Sequence, residues 1–271
     1  AIKSQVHFKE LFLAGFVPGL ILLALLSVFS ILQVKHLWRD RPAFDAKEAR
    51  AATAVAFGDL LLPIVVILVL FQAWMPIVGA AALAAFGAIV LECGVHRSMD
   101  LRKGLPKAFL EAAFLVGALL AVIGLAFAFS EFLVWDMVPG RIAGWVTSFI
   151  HSKWTFLLVL NLLLLVVGAM MDIFSAIVIV VPLIVPLAAE FGVGPAHLGI
   201  IFLANLELGY LTPPVGLNLF LSSLTFDKPL LRVWRAALPF VAIFAIWVIL
   251  VTYVPWLSEG VVNFVTGGTG T

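Results

Sequence analysis

A chain of 271 residues that is 64% hydrophobic and only 11% charged lacks the polar side chains to cover a surface in water, which excludes a soluble domain. Its one cysteine, Cys93, excludes an intrachain disulfide framework and a cysteine-built metal site. The net charge of +1 is uninformative, but 12 of the 16 Lys and Arg residues fall in three stretches, Lys35–Arg50, Arg97–Lys107 and Lys228–Arg235. The positive-inside rule puts all three on the cytoplasmic side.

The elements follow in chain order. Segment 1–58 opens with Leu11–Val34, a run without charge. It is longer than the ~20 residues that cross the ~30 Å hydrocarbon layer, and too long for the apolar region of a cleavable signal peptide. It is predicted to run inward. Two lysines precede it and the first residue is not Met, so the start reads as internal to a longer protein. Asp45, with Glu48 three residues on, forms a capping box that predicts an amphipathic interfacial helix. Segment 59–107 is a helical pair, Leu60–Trp74 outward and Ile77–Val95 back, turning near Gln72–Pro76. Segment 108–153 leads outward through Ala108–Phe129 into an external interfacial stretch. There Pro139 opens a helix with Ile142, Trp145, Val146 and Phe149 on one face. Both interfacial helices read equally as plain connecting structure. At the far end, segment 228–271 holds a last membrane helix, Ala236–Val254, and a C-terminal tail.

The stretch from Trp154 to Phe226 has no Lys or Arg, yet carries Asp172, Glu190, His197 and Glu207. Segment 154–191 is either two full crossings or a re-entrant hairpin with its tip at Met171–Ser175, and charge counting leaves both open. Asp172 sits in the apolar run Gly168-Ala-Met-Met-Asp-Ile-Phe-Ser175. A carboxylate there costs several kcal/mol unless it meets a cavity, a cation or a partner. It marks an ion or proton path, or a helix-end carboxylate at the interface.

Segment 192–227 is a helix broken at Thr212-Pro213-Pro214. The prolines have no N–H, so the carbonyls of Gly209 and Tyr210 lose their usual intrahelical donors. In lipid those oxygens need another partner. A cation held by carbonyls and the Thr212 hydroxyl is one solution; water or neighbouring hydroxyls at a packed kink is the other. Gly209 and Gly216 let the backbone bend and approach closely. Asn218 is a polar group inside the resumed helix, and Glu207 either lines a cavity or pairs locally. Asn205, Pro213 and Gly216 complete the candidate cavity positions. No nucleophile–base set, phosphate loop or metal-spaced histidine pair is visible, so neither an enzyme, an organic cofactor nor a nucleic-acid partner is expected.

With Thr212-Pro-Pro-Val-Gly-Leu-Asn-Leu-Phe220 in view, the chain resembles the large membrane subunit of tripartite ATP-independent periplasmic (TRAP) transporters, of the DctM/SiaM type. Leu11-Phe-Leu-Ala-Gly-Phe-Val-Pro-Gly19 is similar to a family segment, as are Gly168–Asp172 with Pro182 and Pro186 behind them, and Asn205-Leu-Glu-Leu-Gly209. The likeness covers roughly Phe8 to Leu257. It implies an all-α integral membrane protein with polytopic helices, a re-entrant hairpin and a broken helix, forming half of an inverted-repeat elevator-type transporter. It further implies Na+-coupled import of organic anions across the bacterial inner membrane, of C4-dicarboxylate or sugar-acid type. The implied partners are a periplasmic substrate-binding protein, a small membrane subunit, the N-terminal half of the large subunit and membrane lipid. One Na+ site would be built from Asp172, Ser175, Gly209 and Thr212, with Glu207 beside them. Two departures stand out. The family's first repeat, with its own Gly-Ser-Ser and Pro-Pro-Ser breaks, does not occur here. Met75-Pro-Ile-Val-Gly79 replaces the family's Thr-Pro-x-Glu-Ala. A proton-coupled carrier working through Asp172, and a non-transporting membrane fragment or scaffold, are the competing expectations.

Overall fold

The computed structural model describes residues 8–34, 45–72, 74–171, 173–214 and 216–266, and every regular element among them is helical. In order these are α1 Phe8–Val34, α2 Ala46–Phe71, α3 Ile77–Ile89 running on as a π-turn through Val90–Val95, α4 Gly104–Trp135, α5 Val138–Phe149, α6 Lys153–Met170, α7 Ile173–Glu190, α8 Pro195–Gly209, α9 Leu217–Thr225, α10 Leu230–Tyr253 and α11 Trp256–Thr266. Six of them are long and apolar enough to cross a bilayer: α1, α3 with its π-turn, α4, α6, α7 and α10. The chain is an all-α, multi-pass membrane protein.

Two compact units divide it, one from Ala1–Lys35 and Leu120–Thr271, the other from His36–Leu119. In the smaller unit, Asp45 caps α2 by accepting from the Lys47 N–H at 2.8 Å. This helix runs through the predicted boundary near residue 58 as one element, bent by 56° between Ala54 and Ala56. The Thr53 hydroxyl donates to the Ala49 carbonyl at 2.8 Å one turn before the bend, a back-bond that weakens the helix ladder locally. α2 and α3 pack with leucine tips over glycines, Leu91 on Gly58 and Leu62 on Gly87. α4 extends past the predicted Phe129 to Trp135, taking in Glu131.

The larger unit holds the core, built from one face each of α6, α7 and α8. On α6 the buried positions Phe156, Leu157, Leu160, Leu164 and Gly168 repeat at helical spacing. α7 ends in a Schellman turn: Gly192 takes φ +66°, its N–H reaches Ala189 O at 3.0 Å, and the Val193 N–H reaches Ala188 O at 2.9 Å. Lys153 Nζ at the start of α6 donates to Gly192 O at 2.6 Å, and Phe156 stacks on Phe191 with ring centroids 4.4 Å apart. These contacts close the base of the α6–α7 pair. Pro195 then opens α8. The face expected on α5 is split: Ile142 and Val146 pack on the core, whereas Trp145 and Phe149 point outward and meet each other edge-on.

α6 and α8 run in the same direction, with Asn161 against Asn205 and Gly168 against Gly209. α10 runs opposite and packs along both α8 and α9. It has 24 residues, about 36 Å, whereas α8 has 15, about 22 Å. Neither α8 nor α9 matches α10 alone; the two halves together do.

Candidate functional site

α8 ends by tightening. Tyr210 N–H still reaches Leu206 O at 3.0 Å, but Leu211 N–H turns to Leu208 O at 3.1 Å and Thr212 N–H to Gly209 O at 2.9 Å. The Gly209 carbonyl is therefore not left without an intrahelical donor, as the missing Pro213 N–H implied; a tighter turn supplies Thr212 instead. The Pro213–Pro214 peptide is cis. Gly216 follows at φ +53°, a left-handed geometry that favours glycine. Its carbonyl accepts from Leu219 and Phe220 at 2.9 and 3.0 Å, which starts α9. The Thr212 hydroxyl donates to Leu208 O at 2.8 Å. Its proton is thereby committed, and its lone pairs are left for an electron-poor ligand.

The end of α6 lies directly on this break. A Cβ added to Gly209 would stand 2.5 Å from the carbonyl carbon of Gly168, 2.6 Å from its Cα and 2.7 Å from Ala169 N. Conversely, a Cβ on Gly168 would stand 2.8 Å from Leu206 Cα and 2.9 Å from Leu206 O. Backbone touches backbone, the close approach that small residues permit between membrane helices. Met171 then leaves the helix in an extended conformation, with its N–H on Val167 O at 2.8 Å. Asp172 lies outside the described residues. Ser175 stands in the first turn of α7. Of the four residues expected to hold an ion, Gly209 and Thr212 thus sit at the break, and Asp172 and Ser175 follow the end of α6 in sequence.

Glu207 and Asn218 face each other across the break, with Asn218 Nδ2 3.5 Å from Glu207 Oε1. Glu207 is exposed and borders a cleft of about 270 Å³ with Gly15, Pro18 and Gly19 of α1, Tyr210 and Trp247. Trp247 Nε1 donates to Pro18 O at 2.9 Å, fixing α10 to α1 beside it. Asn205, expected near a cavity, is 2% exposed and turned into the protein. Its amide donates to Asn161 Oδ1 at 2.5 Å and to Ile201 O at 2.8 Å. Thr252 Oγ1 approaches the same Asn161 oxygen at 3.1 Å, and His197 Nε2 lies 3.2 Å from Thr252 O. His197 Nδ1 meets Ser258 Oγ at 2.7 Å, so a buried polar chain links α6, α8, α10 and α11. Contacts of this kind between membrane helices average only about 0.6 kcal/mol each, so they direct register more than they add stability. Sequence reading passed over Asn161, although a lone amide in an otherwise apolar arm was a visible signal. His197, in the first turn of α8, is fully buried.

Comparison with known proteins bears on what this geometry belongs to. Residues 1–257 match the family model of the tripartite ATP-independent periplasmic transporter, DctM component. The chain is 36% identical over 266 residues to the C4-dicarboxylate TRAP transporter large permease protein DctM of Pseudomonas aeruginosa, covering 97% of this chain and 62% of that protein. It is 32% identical to the isethionate TRAP transporter permease protein DctMQ of Oleidesulfovibrio alaskensis, over 94% of this chain and 40% of that one. It is 28% identical to the sialic acid TRAP transporter large permease protein SiaM of Vibrio cholerae, over 88% and 56%. The chain thus spans less than two thirds of the length of these relatives. The family model matches residues 1–257, nearly the whole chain and the helix broken at Thr212-Pro213-Pro214 with it, and the chain belongs to the DctM component family of TRAP transporters.

Proposed function

We propose that this chain is the ion-site portion of the large membrane subunit of a Na+-coupled TRAP transporter in the bacterial inner membrane. α6 and α7 form a re-entrant hairpin whose tip meets the broken helix part-way across the bilayer. Support for this comes from length: α8 ends about 22 Å along its path, opposite the interior of α10, and α6 ends with it. Na+ binds hard oxygen atoms there: the Thr212 hydroxyl, the carbonyl of Gly209, which keeps a second lone pair, and Asp172 and Ser175 from the tip. Binding draws tip and break together, and the sodium gradient drives import. The substrate is an organic anion brought by a periplasmic binding protein, with a small membrane subunit and an N-terminal repeat completing the carrier. The relatives' cargoes, C4-dicarboxylates, isethionate and sialic acid, share an anionic group and little else. The α9 N-terminus, with Asn218 on its first turn, presents N–H groups of the kind that attract such a group.

The observation that carries this reading is the backbone contact of Gly168 with Leu206 and Gly209, which leaves no spacer between the end of α6 and the break. Uptake into proteoliposomes by the assembled transporter tests it. Parent protein should lose uptake when choline replaces Na+ at fixed pH. Thr212→Ala and Asp172→Asn should each reduce Na+-driven uptake by 10-fold or more, roughly the loss expected when an ion ligand is removed, with Thr212→Ser near parental. Uptake indifferent to sodium and to both substitutions rejects the assignment; uptake that follows pH in choline makes the carrier proton-coupled.

A further inference from the structure

We propose that Asn161, Asn205 and Thr252 are positioning residues that fix the register of α6 on α8 and so set the geometry of the ion site. This inference rests on the reading of the break as a Na+ site. Three observations carry it. First, the amides and the glycine contact share faces: Asn205 lies one turn before Gly209 on α8, and Asn161 two turns before Gly168 on α6. Second, the polar groups converge on one oxygen. Asn205 and Thr252 are 2% and 0% exposed, and one acceptor, Asn161 Oδ1, takes both the Asn205 amide at 2.5 Å and the Thr252 hydroxyl at 3.1 Å. Asn205 and Thr252 are thereby turned away from any transported solute, and Asn161 is half-buried. Third, the residues that α6 and α8 give to the core are leucine, isoleucine and phenylalanine, whose packing is non-directional and resists sliding weakly. In lipid it lacks even a hydrophobic drive.

A slip of one residue along a helix moves a carbonyl by about 1.5 Å, roughly three times the ~0.5 Å within which a binding constellation must be held. Gly168 and Gly209 permit close approach but do not choose which residues meet. The shared acceptor on Asn161 makes that choice, because its two donors come from different helices and satisfy it in one register. Asn205 is held in turn by its second bond to Ile201 O, and the single Thr252 hydroxyl proton is shared in a three-centre bond between Val248 O at 2.7 Å and Asn161 Oδ1 at 3.1 Å.

The test uses the assembled transporter in proteoliposomes and reads the Na+ concentration for half-maximal uptake beside the maximal rate. Asn161→Ala and Asn205→Ala should each raise that concentration about 10-fold, as loss of an outer-shell partner does at ion sites. The double variant should be little worse than Asn161→Ala alone, since that substitution already removes the contact that Asn205 makes across the interface. Thr252→Val, nearly isosteric, should give a smaller rise, and Thr252→Ser should restore the parental value. Variants whose thermal stability falls equally with and without Na+, while half-saturation stays parental, would make these residues structural only and overturn the proposal. If the alanine variants do not assemble, the Thr252→Val and Thr252→Ser pair decides: equal half-saturation in both overturns it. A parent transporter indifferent to Na+ removes the ion-site reading itself, an outcome seen without any substitution and so distinguishable from failure of the pin.

Discussion

α3 with its π-turn and α6 have the same mean hydropathy, 2.0, yet 33% of α6 is buried within the protein against 6% of α3. Both carry glycine. On α3, Gly87 meets the tip of Leu62, the end of a side chain that can rotate aside. On α6, Gly168 meets the Leu206 main chain, which cannot. Hydropathy therefore tells which segments enter the membrane and says nothing of which are locked to a neighbour. Locking comes from backbone contact and from amides that need a defined partner.

Four substitutions sharpen or break this contrast. The largest effect is expected from Gly209→Ala. Its Cβ would stand 2.5 Å from the Gly168 main chain, so α6 must separate from α8, at a cost at or above the ~3 kcal/mol end of overpacking. The yield of monodisperse protein after extraction should collapse, and parental yield would mean that the contact is looser than described. Trp247→Phe comes next. It keeps the ring but removes the bond to Pro18 O, and about 1 kcal/mol should be lost in reversible unfolding. Gly87→Ala should cost less, roughly 0.5 kcal/mol or under, because Leu62 can change rotamer. An effect as large as that of Gly209→Ala would erase the distinction between the two glycine contacts. Smallest is His96→Ala, which removes a partly exposed pair with Asp59 at 3.1 Å and should change stability by about 0–1 kcal/mol, as surface pairs do. Salt titration of the parent and variant unfolding curves checks that figure.

Much of the fold was legible because a bilayer imposes long apolar helices. α1, α6, α7 and α10 stand close to the expected spans, and the break falls at Thr212-Pro213-Pro214, where two missing N–H groups require it. The α5 helix was legible too, from Pro139 onward, but not which half of its apolar face turns inward. α11 was read as a tail, since eleven residues of mixed polarity carry no membrane signal. It is nevertheless a helix tied to the start of α8 through Ser258 and His197. At the site, Gly209 and Thr212 were recognisable because proline chemistry is local. Asn205 was named only as a cavity position, because nothing in its neighbours in sequence points to Asn161.

The sequence by itself determined that the chain lives in a membrane, where most of its long apolar helices run, and that one helix stops at a pair of prolines. Each follows from solvent and backbone chemistry within a short window. Only the tertiary structure decided that Gly168 lies on Gly209, that Asn161 serves two donors from different helices, and that Gly209 O keeps a hydrogen bond after Pro213. The reason is physical: apolar helices in lipid are nearly equivalent partners until close backbone approach and directional hydrogen bonds distinguish them, and both depend on residues brought together from distant parts of the chain.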